Sequence, residues 1–456
     1  MRAGAKVLLV SDGEPGGDCT FYGCVPSKTL IESARRGLPY PAAAQRIRDV
    51  VARIATTENS AALRDEGIEV RLGRARLLSR RQVAVGRDRV NTGAVVLATG
   101  SRPTVPPIPG LETAAYLTNE TVFDLPDAPA SLAVIGGGPV GCELAQAFAR
   151  LGSRVTLVEA APRLLPREEP RASRIVAAAL LDDGVEVRTG VGVDRVASGE
   201  RLRLADGSEV ATDRLLVAVG RTPVIDGLDL DAAGVRTDDG GHVITDDRLR
   251  TTAAGVYAAG DVTGRLPFTH AAYEMGRIAA GNALRGWRGR ARRYRPHATP
   301  WVTFTDPEVA RVGLTEAQAA AAARGARVAH LPLDETDRAL AAGRTDGFIT
   351  LIAGPRPLLG RVGGGRILGA TIVAERGGEM IHEPALAMAT GMFTGRLAAA
   401  THAYPTWSYA MQVAAAQFFM TIGGRRARPA GDGQPAGNGQ PTDDGQPTGL
   451  SATSRQ

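Results

Sequence analysis

Six residues, Gly136-Gly-Gly-Pro-Val-Gly141, constrain the fold more tightly than any other stretch of the chain. They follow an apolar run, LAVIG. After them come an apolar-periodic segment over residues 140–151, a Gly152-Ser153 turn and a second apolar run, RVTLVE. Strand, glycine turn, helix, turn, strand is one βαβ unit, the building block of a parallel sheet. The G-x-G-x-x-G spacing of Gly136, Gly138 and Gly141 permits a tight turn. It also allows a pyrophosphate to approach the N-terminal end of the helix. Glu159 closes the second strand, where an acidic side chain accepts a hydrogen bond from a ribose 2′-hydroxyl and repels a 2′-phosphate. NADH is therefore expected over NADPH, with Arg163 near enough to soften the preference. The competing reading makes Glu159 a solvated strand-end charge.

Two other apolar runs end in a similar phrase, VVLATGSR at residues 95–102 and LLVAVGRTP at residues 215–223. Runs that close on a glycine turn suit the carboxyl ends of buried parallel strands, where α/β proteins bind ligands. Thr99, Gly100, Gly220 and Arg221 are therefore candidate nucleotide contacts, and two nucleotide-binding domains of similar build are expected. GVYAAGDV, residues 255–262, supplies another strand-to-turn with Gly260 and Asp261 at its end. Beyond residue 299, alternation in ITLIAG and RILGATIV predicts antiparallel strands, and Ala-rich helices follow from Glu383 to about Met420. After Gly424 a GQP element recurs three times with almost no large apolar side chains. Such a segment cannot bury enough surface to offset its ordering entropy, so residues 425–456 are expected to be a disordered tail.

Composition narrows the function classes. The net charge is +6, but only Lys6 and Lys28 are lysine and the arginines are scattered, so no nucleic-acid surface is expected. No apolar run approaches the roughly 18 residues that span a bilayer. Three cysteines in 456 residues cannot build a disulfide framework, which points to a cytoplasmic protein.

Two of those cysteines carry the chemistry. In GGDCTFYGCVPSK, Cys19 and Cys24 flank a four-residue spacer in which Gly23 relieves crowding. Pro26 suits the first turn of a helix, so Cys24 is expected near a helix N-terminus, whose positive end favours a thiolate. A thiol of lowered pKa points to redox work or to metal binding. No third and fourth Cys or His ligand lies nearby, so no metal site is expected. Two unrelated buried cysteines would be the bland alternative. Cys142, inside the helix after the glycine turn, is expected to be an inert core thiol.

From residue 4 to about 424, the order of these motifs resembles the class I pyridine nucleotide-disulfide oxidoreductases, the family of lipoamide dehydrogenase, glutathione reductase and mercuric reductase. The resemblance implies an α/β fold with two Rossmann-like domains, for FAD and NAD(P), and a C-terminal α+β dimerisation domain. The implied domains are 1–124 for the first part of the FAD domain, 125–245 for NAD(P), 246–297 for the second FAD part, and 298–424 for dimerisation. By carry-over, Cys24 faces the flavin as a thiolate and Cys19 is the outer, exchanging thiol. Lys28 pairs with Glu143 beside the flavin ring. Gly16, Gly17 and Asp261 contact FAD, although Asp261 could instead cap the turn after it. His270 is expected to start a helix. The implied enzyme is a homodimer that moves electrons from NADH through FAD and the cysteine pair to a small thiol, disulfide or other acceptor. A reductase that uses its flavin directly on quinones, and a non-enzymatic homologue, are the rivals.

The sequence departs from the family pattern in two places. GAKVLLV resembles the second strand of the FAD unit, and neither the first strand nor its G-x-G-x-x-G precedes it. Met1 is accordingly expected to be a misassigned start, with FAD binding in question for the chain as given. Near the C-terminus, many relatives read His-Pro-Thr followed by Glu, an acid/base pair for dithiol exchange. Here the stretch is THAYPTWSYA, with Tyr404 in the His position and Tyr409 where the Glu is expected. A phenol is a poor base at neutral pH. Tyr404 is expected to reach the partner's Cys19. DRALAAGRTDGF, residues 337–348, resembles the mercuric reductase branch. The extra C-terminal Cys pair of those enzymes is missing, so mercury resistance itself is not expected.

Overall fold

The computed structural model describes residues 4–197, 201–285, 291–356 and 358–432. At its centre is a five-stranded parallel sheet in the order Glu186–Thr189, Arg154–Glu159, Ser131–Ile135, Arg214–Val217, Tyr116–Leu117. Every residue of Ser131–Ile135 is buried, because both faces of the sheet are covered. Leu132 and Val134 pack on Leu144 and Phe148 of the helix Pro139–Arg150. Ala133 and Ile135, one position out of phase, pack beneath Val196, Leu202 and Val210 of a three-stranded antiparallel meander. The expected βαβ unit is thus present with its expected elements.

The flavin-side strands are arranged differently. Leu8–Ser11 pairs in parallel with Glu69–Leu72, and Val95–Leu97 pairs in parallel with Val256–Ala258. Among the described residues these remain two separate two-stranded sheets. The two look-alike phrases meet directly. Ser101–Pro103, after the first, pairs antiparallel with Arg221–Pro223, after the second.

The helices Cys24–Arg35 and Tyr40–Ala55 pack together through Leu30, Ile31, Ala43 and Ile47. That cluster continues into the helix Pro139–Arg150, with the Tyr40 and Phe148 ring centroids 6.0 Å apart. One apolar core thereby ties the cysteine helix to the neighbouring domain.

The C-terminal region is a six-stranded antiparallel sheet in the order Pro300–Thr303, Glu308–Gly313, Arg366–Ala374, Phe348–Gly354, Arg327–Pro332, Arg428–Pro429. The antiparallel strands expected from ITLIAG and RILGATIV are present and paired with each other, and Phe348–Gly354 is buried throughout. Ile349 and Leu351 face the helices His382–Thr390 and Tyr409–Ala416, whereas Phe348 joins the core of the preceding domain. A correction concerns the tail. Arg428 and Pro429 pair with Val328 and Arg327, so the start of the expected tail adds an edge strand to the folded sheet. The rest of the expected tail, residues 433–456, lies outside the described residues. No helix among the described residues is long and apolar enough to cross a membrane.

Candidate functional site

Cys19 and Cys24 form a disulfide, with Cα atoms 4.7 Å apart. Cys24 opens the helix Cys24–Arg35, with Gly23 before it and Pro26 in the first turn, as the local sequence requires. A side chain at Gly23 would meet Asp18 O at 3.1 Å and Cys19 Cα at 3.2 Å, so a larger residue there would crowd the loop. Cys24 is the exposed member of the pair and Cys19 is half-buried.

Lys28 stands one turn after Cys24 and shares its face. Its Nζ lies 2.8 Å from Oε2 of Glu143, whose side chain is only 5 % exposed. The other oxygen, Oε1, accepts a hydrogen bond from the backbone N–H of Phe304 at 2.8 Å. The ammonium also sits 4.6 Å from the centre of the Phe304 ring. A single ion pair thereby joins the cysteine helix, the NAD-side helix and the C-terminal region. Exposed Cys24 and part-exposed Lys28 form an open face that a flat, electron-accepting ring could cover, so the residues present fit the ring end of FAD.

Thr269 was not anticipated. Its Oγ1 lies 2.6 Å from Cys19 Sγ and 3.4 Å from Cys24 Sγ, at the start of the helix Thr269–Arg285. No spacing rule could pair residues about 250 positions apart. His270 beside it sits in the first helical turn, its Nε2 2.6 Å from Pro300 O, as expected of a helix-start residue.

The flavin-side candidates gather around one polar network. Asp261 Oδ2 accepts from Ser101 Oγ at 2.6 Å, and Arg221 donates to the same Ser101 Oγ at 2.7 Å and to Ser101 O at 2.8 Å. Arg221 also pairs with Asp18, next to Cys19, at 3.2 Å. The turn after it is closed through the backbone, where Asp261 O accepts from Gly264 N–H at 2.9 Å. Thr99 Oγ1 donates to Val224 O at 2.6 Å, and Val224 N–H donates to Gly100 O at 3.1 Å. Thr99 and Gly100 thus belong to the same inter-domain link as Gly220 and Arg221. Gly260 adopts φ 78°, and Gly17 opens onto free space. Gly16 lies against the Phe21 ring, where a side chain would come within 2.7 Å.

The glycine turn meets two different demands. A side chain at Gly141 would collide with Gly136 O at 1.8 Å, and one at Gly136 with Ala218 O at 2.5 Å. Both serve backbone packing. Gly138, at the N-cap of the helix, has nothing within 4 Å of a would-be side chain. That opening is what a pyrophosphate needs. Glu159 is not a free surface charge: Oε2 accepts from Gly137 N–H and Oε1 from Ala161 N–H, each at 2.6 Å. Arg163, expected to soften the preference for NADH, is engaged locally. Its guanidinium is held within its own loop by Glu168 O at 3.0 Å, Ser173 Oγ at 2.7 Å and Pro166 O at 2.6 Å. Cys142 is fully buried, and burial pushes its thiol up well beyond the ordinary range.

Tyr404 makes no contact with Cys19 of its own chain. It is 64 % exposed, and its hydroxyl donates to Asp337 Oδ2 at 2.5 Å. Tyr409 meets it edge-on, ring centroids 5.6 Å apart. His402, two residues before, pairs with Glu383 at 2.9 Å.

Residues 1–276 match the pyridine nucleotide-disulphide oxidoreductase family, and residues 299–415 match its dimerisation domain. The chain belongs to this family. Members are FAD-dependent and use NAD(P)H. The chain is 36% identical over 445 residues to a mercuric reductase of Streptomyces lividans, covering 91% of each. It is 34% identical over 444 residues to a dihydrolipoyl dehydrogenase of Thermus scotoductus, covering 91% of this chain and 92% of that one. Among solved structures it resembles the HOCl-induced flavoprotein disulfide reductase RclA of Escherichia coli, with a TM-score of 0.81 and 31% identity, covering 90% and 94% of the two chains. The chain is accordingly a pyridine nucleotide-disulfide oxidoreductase of α/β fold, with a dimerisation domain and a Cys19–Cys24 disulfide.

Proposed function

We propose that this oxidoreductase moves electrons from NADH by way of FAD to the Cys19–Cys24 disulfide, and from there to a disulfide or other two-electron acceptor, as a homodimer. The observation that carries the reading is the disulfide at the head of the helix Cys24–Arg35, with the Lys28–Glu143 ion pair one turn below it. FAD supplies the two-electron link between a nicotinamide and a disulfide.

The side chains of this protein do the rest. Lys28 holds a fixed cation beside Cys24, where negative charge accumulates on reduction, and buried Glu143 keeps it in place. The helix N-terminus favours Cys24 as the thiolate, leaving Cys19 for exchange. On the flavin side, Gly16, Gly17, Thr99, Gly100, Gly220, Arg221, Gly260 and Asp261 are the contacts we assign to FAD. Gly136, Gly138 and Gly141 admit the pyrophosphate of NADH to the helix N-terminus, and Glu159 faces its ribose. The engagement of Arg163 within its own loop supports NADH over NADPH. A dithiol that must be remade in each cycle suits the cytoplasm.

Anaerobic titration of flavin-loaded protein with NADH tests the reading. Long-wavelength absorbance from a thiolate beside oxidised flavin is expected at two-electron reduction, and its absence would overturn the assignment. In Cys24→Ser that band and acceptor turnover are both expected to vanish. Unchanged turnover would instead place the chain with enzymes that reduce quinones directly from the flavin. Relatives are named for mercuric ion and for dihydrolipoyl substrates, and RclA is described as a Cu(II) complex. Mercuric ion, lipoamide and Cu(II) assayed side by side would identify the acceptor class.

A further inference from the structure

Tyr404 is an exposed aromatic residue held unusually firmly. Its hydroxyl donates to Asp337 Oδ2 at 2.5 Å, and the Tyr409 ring meets it edge-on. The neighbour of Asp337 clasps the same loop, with the Arg338 guanidinium 5.8 Å from the centre of the Trp407 ring. Behind Tyr404, His402 is anchored by Glu383 and by Ala400 O, each at 2.9 Å. Asp337 stands at the first position of the helix Asp337–Ala342, where a carboxylate ordinarily serves the helix end. Here it is directed at a phenol 67 positions along the chain.

A phenol has one proton. When that proton is donated to a carboxylate, the oxygen presents only lone pairs to anything that approaches from outside. Tyr404 as folded is therefore oriented to receive a proton. We propose that Asp337 is the positioning residue for Tyr404, and that the two form a relay drawing the proton from an exchanging thiol. The inference rests on the dimeric disulfide-reductase reading, in which the thiol is that of the partner's Cys19. The sulfur–hydrogen bond breaks and its proton bonds to Tyr404 Oη. The phenolic proton passes to Asp337 Oδ2, and the negative charge moves from the carboxylate to the sulfur. The thiolate then attacks one sulfur of an acceptor disulfide. A mixed disulfide forms and the second sulfur leaves as a thiolate. Asp337, which is exposed, returns its proton to water. The carboxylate that relatives are expected to place beside the exchange base comes here from Asp337, and Tyr409 meets the phenol ring edge-on.

The surrounding charges agree with this arrangement. The hydrogen bond to Asp337 and the repulsion of its carboxylate raise the Tyr404 phenol above its ordinary range, with Tyr409 adding to the shift. Arg338 is the nearby cation, and it lies over Trp407.

Two measurements test the relay. The first is the absorbance titration of tyrosinate in the oxidised protein, which needs neither cofactor nor acceptor. Relative to wild type, Tyr404→Phe should lose one late-titrating phenol and Asp337→Asn should bring that phenol to lower pH. An unchanged curve in Asp337→Asn overturns the positioning role. The second is single-turnover exchange of the pre-reduced, desalted protein with 5,5′-dithiobis(2-nitrobenzoic acid), followed against pH. In Asp337→Asn the rate at neutral pH should fall on the order of a hundredfold, the lower end of what positioned proton transfer contributes. Its midpoint should rise toward the ordinary thiol value of about 8.5. Tyr404→Phe should match it, and the double variant should be no slower than either single one. Multiplied effects, or an unmoved midpoint, overturn the relay. A Cys19→Ser variant that keeps both the wild-type rate and the wild-type midpoint would instead overturn the disulfide-reductase reading itself, so the two failures are separable.

Discussion

The NAD-side and flavin-side domains carry nearly the same phrase, LLVAVG and VVLATG, yet it is built into sheets of different completeness. On the NAD side, Arg214–Val217 lies against the fully buried strand Ser131–Ile135 and completes a five-stranded sheet. On the flavin side, Val95–Leu97 has Val256–Ala258 as its strand partner, and Val96 is 37 % exposed. Leu8–Ser11 is half-buried along its length. The difference teaches that an apolar run ending in glycine specifies a strand and a turn. How deeply the strand is buried depends on what lies on either side of it.

Four predictions probe that contrast, from the largest expected effect downward. Leu132→Ala, at a site only 1 % exposed, should lower unfolding free energy by about 3 kcal/mol, whereas Val96→Ala should cost under about 0.5 kcal/mol. Denaturant melts of the two variants would measure this, and equal losses would erase the distinction. Within the NAD side, Gly141→Ala forces a methyl group onto Gly136 O and should cost about 2 kcal/mol or more. Gly138→Ala should leave the melt nearly unchanged while weakening NADH binding by calorimetry.

The third prediction concerns the join between the domains. Lys28→Met leaves Glu143 buried without its cation. Fully buried pairs lose 3–5 kcal/mol in such cases, and the part exposure of Lys28 reduces the expectation to about 2 kcal/mol. Lys28→Met/Glu143→Gln should recover part of that loss in the same denaturation assay.

The remaining effects are set by pH, and two histidines of the C-terminal region, His330 and His402, oppose each other. Burial, then Arg171, Arg425 and Arg428, depresses His330 to about 3. The unfolded chain therefore binds the extra proton first. Stability present above about pH 6.5 should fall as the solution is acidified, by about 2 kcal/mol at pH 5. His330→Gln should flatten that acid limb. His402 is shifted upward: burial alone lowers it, and the bonds to Glu383 and Ala400 O outweigh burial. Both its ring nitrogens face acceptors, so its contribution is full below about pH 6.5 and lost as pH rises through the folded value. That loss should be under about 1 kcal/mol, read as a shallow alkaline slope absent from His402→Asn.

Much of the candidate site was legible because its chemistry is local. Cys19, Gly23, Cys24 and Pro26 specify a small loop and a helix start within eight residues, and the structure has both. The pairing of Lys28 with Glu143 followed from family resemblance and is present at 2.8 Å. The surroundings of Arg163 were not legible, because proximity to Glu159 in sequence says nothing of which carbonyls surround its guanidinium. Thr269 and Asp337 were missed as partners for a related reason. A hydroxyl or carboxylate at a helix start looks the same whether it serves the helix or a side chain far along the chain.

By itself, the sequence determined the elements and their ends: the glycine turn before Pro139–Arg150, the cysteine loop and the alternating strands near the C-terminus. These depend on steric and hydrogen-bonding rules that act within a few residues. Tertiary structure alone decided that the two look-alike phrases bond to each other after their turns and that the start of the expected tail adds an edge strand to a sheet. It also decided that Tyr404 gives its proton to Asp337. Each of these joins groups widely separated in sequence, and only the packed core brings them within hydrogen-bonding distance.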